Sequence, residues 1–242
     1  LGVRAGADLV EVFLERTDHL GVLAEQDKIT SVSPSFGMGA GIRVFRSGRD
    51  GFVSTNDLSD QGLEEALQQA LAMLQLSQRS STADCSFDGL GTFRDYGTSK
   101  NGWLDSTPDL VTITQRLLEG TQCLQKRGQH LDVRRGSFAR DWQEVLVAAS
   151  DGTFARDIRL HQSSGLSVLA ADGEHRSSIA RRYGSTDRPD DLCSWDVDAS
   201  AQEVCDSAAK MLRADYVDGG QMPVVLANRF GGVIFHEACG HL

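Results

Sequence analysis

Arg134-Arg-Gly-Ser-Phe-Ala-Arg140, Glu144-Val-Leu-Val-Ala-Ala-Ser150, Thr153-Phe-Ala-Arg-Asp-Ile-Arg-Leu-His161 and Ser167-Val-Leu-Ala-Ala171 are four short apolar-polar runs in close succession. Turn residues separate them, notably Ser150-Asp151-Gly152 and Asp172-Gly173. Runs of this length bounded by Asp-Gly read as antiparallel strands joined by tight turns. The block extends to a further strand at Ser178–Tyr183. Upstream, residues 8–16 are apolar on both alternating sets, which predicts a largely covered strand. A turn near Asp18-His19 leads to a strand at about 20–26, and Ile29 to Ser33 forms another. Gly37-Met-Gly-Ala-Gly41 precedes the strand Ile42–Arg46, and Ser47-Gly48-Arg49-Asp50-Gly51 turns into Phe52–Thr55. The glycine run lacks the G-x-x-x-x-G-K-[ST] order of a phosphate loop, and no helix follows it. It reads as a bending or closely packed strand.

Helices flank these strands. Leu63, Leu67, Ala70, Leu71 and Leu74 form one apolar stripe over about 59–76. A second helix spans 108–127, with Thr107 as cap, Pro108 at the first helical position, and Leu110, Ile113, Leu117, Thr121 and Leu124 on one face. A third covers 201–214, with Ser200 and Glu203 as a capping box. Residues 77–104 are rich in Ser, Thr, Asp and Gly and carry little periodicity. Met222–Ala227 reads as a strand. The fold class is therefore α+β: antiparallel sheets with packed helices in two regions. The expected divisions are an amino-terminal α+β domain at 1–80, a linker at 81–106, a middle α+β domain at 107–215 and the start of a further domain at 216–242.

That last stretch carries the chemistry. His236-Glu237-Ala238-Cys239-Gly240-His241 sets two imidazoles around a carboxylate, just after Gly231-Gly232. Neutral imidazole suits zinc, and a carboxylate beside the metal can take a proton from bound water. The zincin pattern H-E-x-x-H puts its histidines at i and i+4. Here the spacing is i, i+5, which on a regular helix turns the second imidazole roughly 140° from the first. A wide π-type turn from about Gly232 onward would bring His236 and His241 to one side, and Gly240 eases such a departure. The plain alternative is a pair of surface or helix-end histidines. A catalytic zinc normally takes three protein ligands, so the motif by itself is one short. Cys239 reads as a small buried hydrophobe rather than a ligand, because it and His241 point in different helical directions.

At these residues the chain resembles the TldD/PmbA family, once called modulators of DNA gyrase. TldD-type members carry H-E-x-x-x-H after an apolar strand and a glycine-containing turn, here Pro223-Val-Val-Leu-Ala227 and Asn228-Arg-Phe-Gly-Gly-Val-Ile-Phe235. Ala7-Asp-Leu-Val-Glu-Val-Phe-Leu-Glu15, Gly39-Ala-Gly-Ile-Arg-Val44 and Gly51-Phe-Val-Ser-Thr55 match the family's opening blocks. The resemblance runs over nearly the whole chain and is weakest from about 155 to 195. It implies a cytoplasmic zinc metallopeptidase acting on unstructured peptides, with His236 and His241 as zinc ligands and Glu237 as general base. It implies a third ligand, a cysteine, in a carboxyl-terminal domain outside this chain, so that 216–242 is the start of a truncated catalytic domain. It also implies a homodimer, or a heterodimer with a PmbA/TldE-like paralogue. The chain starts at Leu1 rather than Met and is expected to be an inactive or incomplete segment of a longer protein. The competing function is a non-catalytic peptide-binding or assembly module of such a complex.

Composition narrows the field. A net charge of −10 and a pI near 5.0 argue against nucleic acid as a direct partner. Hydrophobic content of 40% and a mean hydropathy of −0.26 suit a soluble globular chain. No apolar run approaches the roughly 20 residues that span a bilayer. Five cysteines (Cys85, Cys123, Cys193, Cys205 and Cys239) are odd in number and widely spaced, which fits a reducing compartment. His19, His130, His161 and His175 read as surface or turn residues. Arg134-Arg135 and Arg181-Arg182 read as solvated faces, Trp103, Trp142 and Trp195 as core or interface anchors, and Asp187 to Asp191 as an acidic loop.

Overall fold

Val10, Val12, Val22 and Ala24 lie on the same face of one strand, because strand side chains alternate with a period of two. In the computed structural model that strand, β1, runs unbroken over Leu9–Glu25. The structure describes residues 2–75, 92–96, 109–186, 195–227 and 231–241. Trp103, Thr107, Pro108, Cys85, Cys193, Asp187 to Asp191 and most of 81–106 lie outside these.

The remaining strands are β2 (Lys28–Arg46), β3 (Arg49–Thr55), β4 (Arg94–Asp95), β5 (Leu131–Ala149), β6 (Phe154–Asp172) and β7 (His175–Ser185). They form one sheet in the order β3-β2-β1-β5-β6-β4, with β7 also paired to β6. All pairings are antiparallel except the short β4–β6 ladder. The α+β class holds. The two expected regions nonetheless share a single sheet, joined where β1 pairs with β5 from Glu11↔Ala149 to Glu25↔Arg135.

The strands are longer than their sequence runs. No turn forms at Asp18-His19, where the chain stays in register with Phe36 and Ser35 of β2. The reason is cross-strand pairing: Arg140 on β5 donates to Asp18 at 2.8 Å, and His19 Nδ1 meets Asp141 Oδ1 at 2.7 Å. The same pairs carry β5 through the polar interruption at residues 140–143, so Arg134–Arg140 and Glu144–Ser150 are one strand. Likewise Thr153–His161 and Ser167–Ala171 merge into β6. The turn after β1 comes at Gln26 and Asp27, which take positive φ values of 48° and 66°, the geometry of a tight hairpin. The glycine run sits inside β2 and serves close packing. A Cβ at Gly37 would come within 2.7 Å of Thr17 Oγ1, and one at Gly41 within 2.9 Å of a Phe52 ring carbon.

Four helices are described. Helix α1 (Asp60–Met73) starts where the Ser59 side chain accepts from the Gly62 amide. Helix α2 (Leu110–Arg127) is capped by Asp109, which accepts from the Val111 amide. Helix α3 (Val197–Met211) begins earlier than predicted and is capped by Asp196. Ser200 is no cap: it is buried, accepts from the Trp195 indole at 2.6 Å and donates to the Asp196 carbonyl. Helix α4 (Gly232–Gly240) belongs to a separate unit, Arg213–Leu242, whereas the sheet and the first three helices form the unit Leu1–Leu212.

Within the larger unit, α1 packs on one end of the sheet through Leu67, Ala70 and Leu71 against Ile42 and Val44. Helices α2 and α3 pack at the other end, where Leu117, Leu124, Val204 and Ala208 meet Val22, Phe138, Leu166 and Val168. Val12 pairs with Ile42 and Val22 with Phe138, and both lie on the even-numbered face of β1. Both helical clusters therefore cover the same side of the sheet, at opposite ends of the long strands. Between them, Arg16 stacks over Trp142 at 5.1 Å and over Phe36 at 5.6 Å. Arg127 on α2 pairs with Asp198 on α3 and holds that carboxyl below its usual range. The basic pairs at 134–135 and 181 are bound rather than free: Arg134 meets Asp27, Arg135 meets Glu25 and Arg181 meets Glu203.

Candidate metal centre

Gly231 and Gly232 open α4 without a side-chain cap. The helix keeps α geometry over Gly232–Gly240, so the π-type turn expected here does not form. The helix simply stops. His241 lies one residue past it with φ −113° and ψ 18°, outside the helical progression. That break replaces the roughly 140° divergence a continuing helix would impose. His236 Nε2 and His241 Nε2 come to 2.9 Å, with the two rings perpendicular and their centroids 4.6 Å apart.

Glu237 joins them. One donor atom from each of His236, Glu237 and His241 lies within 4.8 Å of the others, and all three residues are exposed. Around tetrahedral zinc, with Zn–N near 2.0–2.1 Å, two nitrogens stand about 3.3 Å apart. The observed 2.9 Å between imidazoles thus needs an opening of only about 0.4 Å to admit the ion, within reach of small side-chain rotations. Two imidazole nitrogens are donors that zinc accepts, and a carboxylate beside them can act on a bound water. The residues fit the metal.

Cys239 is not part of this group. A free cysteine inside this motif is expected to be a buried small hydrophobe, but Cys239 is exposed, and α4 buries none of its residues. The other described thiols are poor nucleophiles: burial raises Cys123 and Cys205 above the ordinary thiol range, with neighbouring carboxylates adding to the effect. Met222–Ala227 forms no strand in the described structure, although its apolar β-branched residues predict one. A strand needs a partner for its backbone groups, and Val224 and Val225 are 69% and 97% exposed.

The fold and the site can be compared with known proteins. PmbA/TldA metallopeptidase domain 1 matches residues 10–74, and the PmbA/TldA metallopeptidase central domain matches 104–212. The chain belongs to the TldD/PmbA family. A metalloprotease of Synechocystis sp. is 26% identical over 240 residues, covering 98% of this chain and 50% of the relative. A metalloprotease TldD homolog of Haemophilus influenzae is 23% identical over 244 residues, covering 97% and 49%. The chain thus spans about half the length of these curated relatives. TldE from Thermococcus kodakarensis shares the fold with a TM-score of 0.65 at 17% identity, over 86% of this chain and 45% of that one. A candidate modulator of DNA gyrase from Bacteroides thetaiotaomicron does so with a TM-score of 0.67 at 13% identity, over 89% and 49%. Both curated relatives are named as metalloproteases, and in this TldD/PmbA chain the described residues gather possible metal donors at His236, Glu237 and His241. No described helix is long and apolar enough to cross a membrane.

Proposed function

We propose that this chain carries part of a zinc-dependent peptidase centre that cleaves unstructured peptides in the cytoplasm. The observation that carries the reading is the convergence of His236 and His241 to 2.9 Å beside Glu237. When bound, zinc supplies Lewis-acid polarisation of a peptide carbonyl and acidifies a bound water. His236 and His241, whose Nε2 atoms face each other, would hold the ion. Glu237, next to His236 in the chain, takes the proton from the attacking water and delivers it to the leaving amine. A third protein ligand, the family's cysteine, comes from a carboxyl-terminal domain outside these residues. The working form is a homodimer, or a heterodimer with a PmbA/TldE-like paralogue, and the substrate backbone is held as an added strand.

The test uses the full-length protein. Glu237→Gln keeps the shape of the side chain and removes the base. General-base loss costs roughly 10²–10⁴-fold, so cleavage of an unstructured peptide falls by about that factor while zinc content stays at the wild-type level. Unchanged cleavage by Glu237→Gln would remove the carboxylate from the mechanism. Absence of any cleavage by the wild-type full-length protein would instead favour the non-catalytic peptide-binding or assembly role.

A further inference from the structure

Gly37, Gly39 and Gly41 stand at alternate positions of β2, so all three face one side of the sheet. Their partners on β1 are Thr17, Glu15 and Phe13, on the odd-numbered face, opposite the side that α1, α2 and α3 cover. With no side chains of their own, the glycines leave a trough of about 400 Å³ between β1 and β3, in the lower part of the size range of ligand pockets. The trough belongs to the Leu1–Leu212 unit, so it is independent of the metal centre in Arg213–Leu242.

Its chemistry is one-sided. A Cβ at Gly37 would lie 2.7 Å from Thr17 Oγ1, and one at Gly39 would lie 3.1 Å from both Asn56 Oδ1 and the Thr55 carbonyl oxygen, so oxygens crowd the floor. Glu15 adds a half-buried carboxylate, the one charge among the lining residues. Its Oε1 accepts from the Gln143 side-chain amide, which anchors the group, and its other oxygen takes no hydrogen bond among the described residues. The neighbouring cation on β2, Arg43, is held by Asp50 at 2.8 Å. Phe13 and Phe52 flank Gly41 and are 40% and 54% exposed.

We infer that this trough binds the arginine side chain of an extended peptide. A guanidinium carries five N–H donors in one rigid plane and no acceptor, which matches a site of several oxygens and a single negative charge. Its alkyl stem lies along the two phenyl rings while the charged head meets Glu15. The ligand is a peptide residue rather than the free amino acid, because no lining residue is a cation that could pair with a free carboxylate.

NMR titration of the 242-residue chain, labelled at phenylalanine, tests this at about 0.15 M salt, where long-range attraction to the net charge of −10 is screened. The probes are acetyl-Ala-Arg-Ala-amide and the same peptide with norleucine in place of arginine. The arginine peptide binds about tenfold more tightly, as hydrogen bonds to a charged partner predict. It moves the ring signals of Phe13 and Phe52 but not that of buried Phe138. Free arginine binds more weakly than the peptide. Glu15→Gln, whose side-chain oxygen still accepts from Gln143, melts like wild type and loses the preference for arginine over norleucine. Equal binding of the two peptides, no binding of either, or shifts that spare Phe13 and Phe52 overturn the inference. A preference that survives Glu15→Gln does the same, and free arginine binding as tightly as the peptide overturns the assignment to a peptide. If Glu15→Gln fails to fold, the wild-type comparison of the two peptides decides by itself.

Discussion

Replacing His236 and His241 together with alanine eliminates zinc binding by the chain. The two Nε2 atoms lie 2.9 Å apart, close enough that a slight opening would admit an ion between them, and Glu237 alone would not retain it. Removing a partner one shell beyond a metal ligand already costs roughly 10–100-fold in affinity, so loss of both imidazoles exceeds that range. Both side chains are exposed. Exposed substitutions change stability by no more than about 0.5 kcal/mol, so thermal unfolding of the Leu1–Leu212 unit is unchanged. Chelator competition on wild type and variant, alongside a melting curve, separates the two effects. Wild-type zinc affinity in the double variant would move the metal away from the motif.

Leu166→Ala destabilises the protein by about 3–5 kcal/mol, in the upper part of the range for buried leucines. Leu166 is 1% exposed and sits where β6 meets α2. The cavity it leaves cannot close by the helix settling onto the sheet. At Gly136, the residue opposite Leu166 on β5, a Cβ would already lie 3.1 Å from the Leu117 carbonyl oxygen of α2. Gly120 on that helix is small because the Leu166 side chain occupies the space: a Cβ there would come within 2.6 Å of Leu166 Cδ2. Single domains are stable by only about 5–15 kcal/mol, so the loss is a large fraction of the whole. Urea unfolding with an unchanged m-value measures it. A loss below about 1 kcal/mol would mean that the helix–sheet contact is less rigid than described.

How much of this was legible in the sequence follows from the range of the interactions involved. Helices α1 and α2 were readable because Leu63, Leu67, Leu71 and Leu117, Leu124 repeat at helical spacing, a local signal. Strand lengths were not. Asp18, His19, Arg140 and Asp141 are polar residues that look like breaks until Asp18 meets Arg140 and His19 meets Asp141 across the sheet. Those partners are more than a hundred residues apart, so no local pattern reports them. The union of two regions into one sheet through β1 and β5 was hidden for the same reason. The cap of α3 was misplaced because Ser200 fits a capping box by spacing, yet its hydroxyl is taken by Trp195 and the Asp196 carbonyl.

At the candidate site the residue types were readable and the geometry was not. The i, i+5 spacing implied that something must interrupt a regular helix. A π-type turn and an early helix end both satisfy that requirement, and the sequence does not distinguish them. The structure has the second, with His241 outside α4. The exposure of Cys239 was unreadable for a related reason: burial of α4 depends on what packs against it, and nothing within 232–240 encodes that.

X-ray absorption at the zinc edge of the metal-loaded chain tests the central claim most directly. The account predicts two imidazole nitrogens at about 2.0–2.1 Å, with the multiple-scattering signature of histidine, lost in the His236→Ala, His241→Ala variant. A first shell of oxygen alone, or one unchanged by removing both histidines, would contradict it.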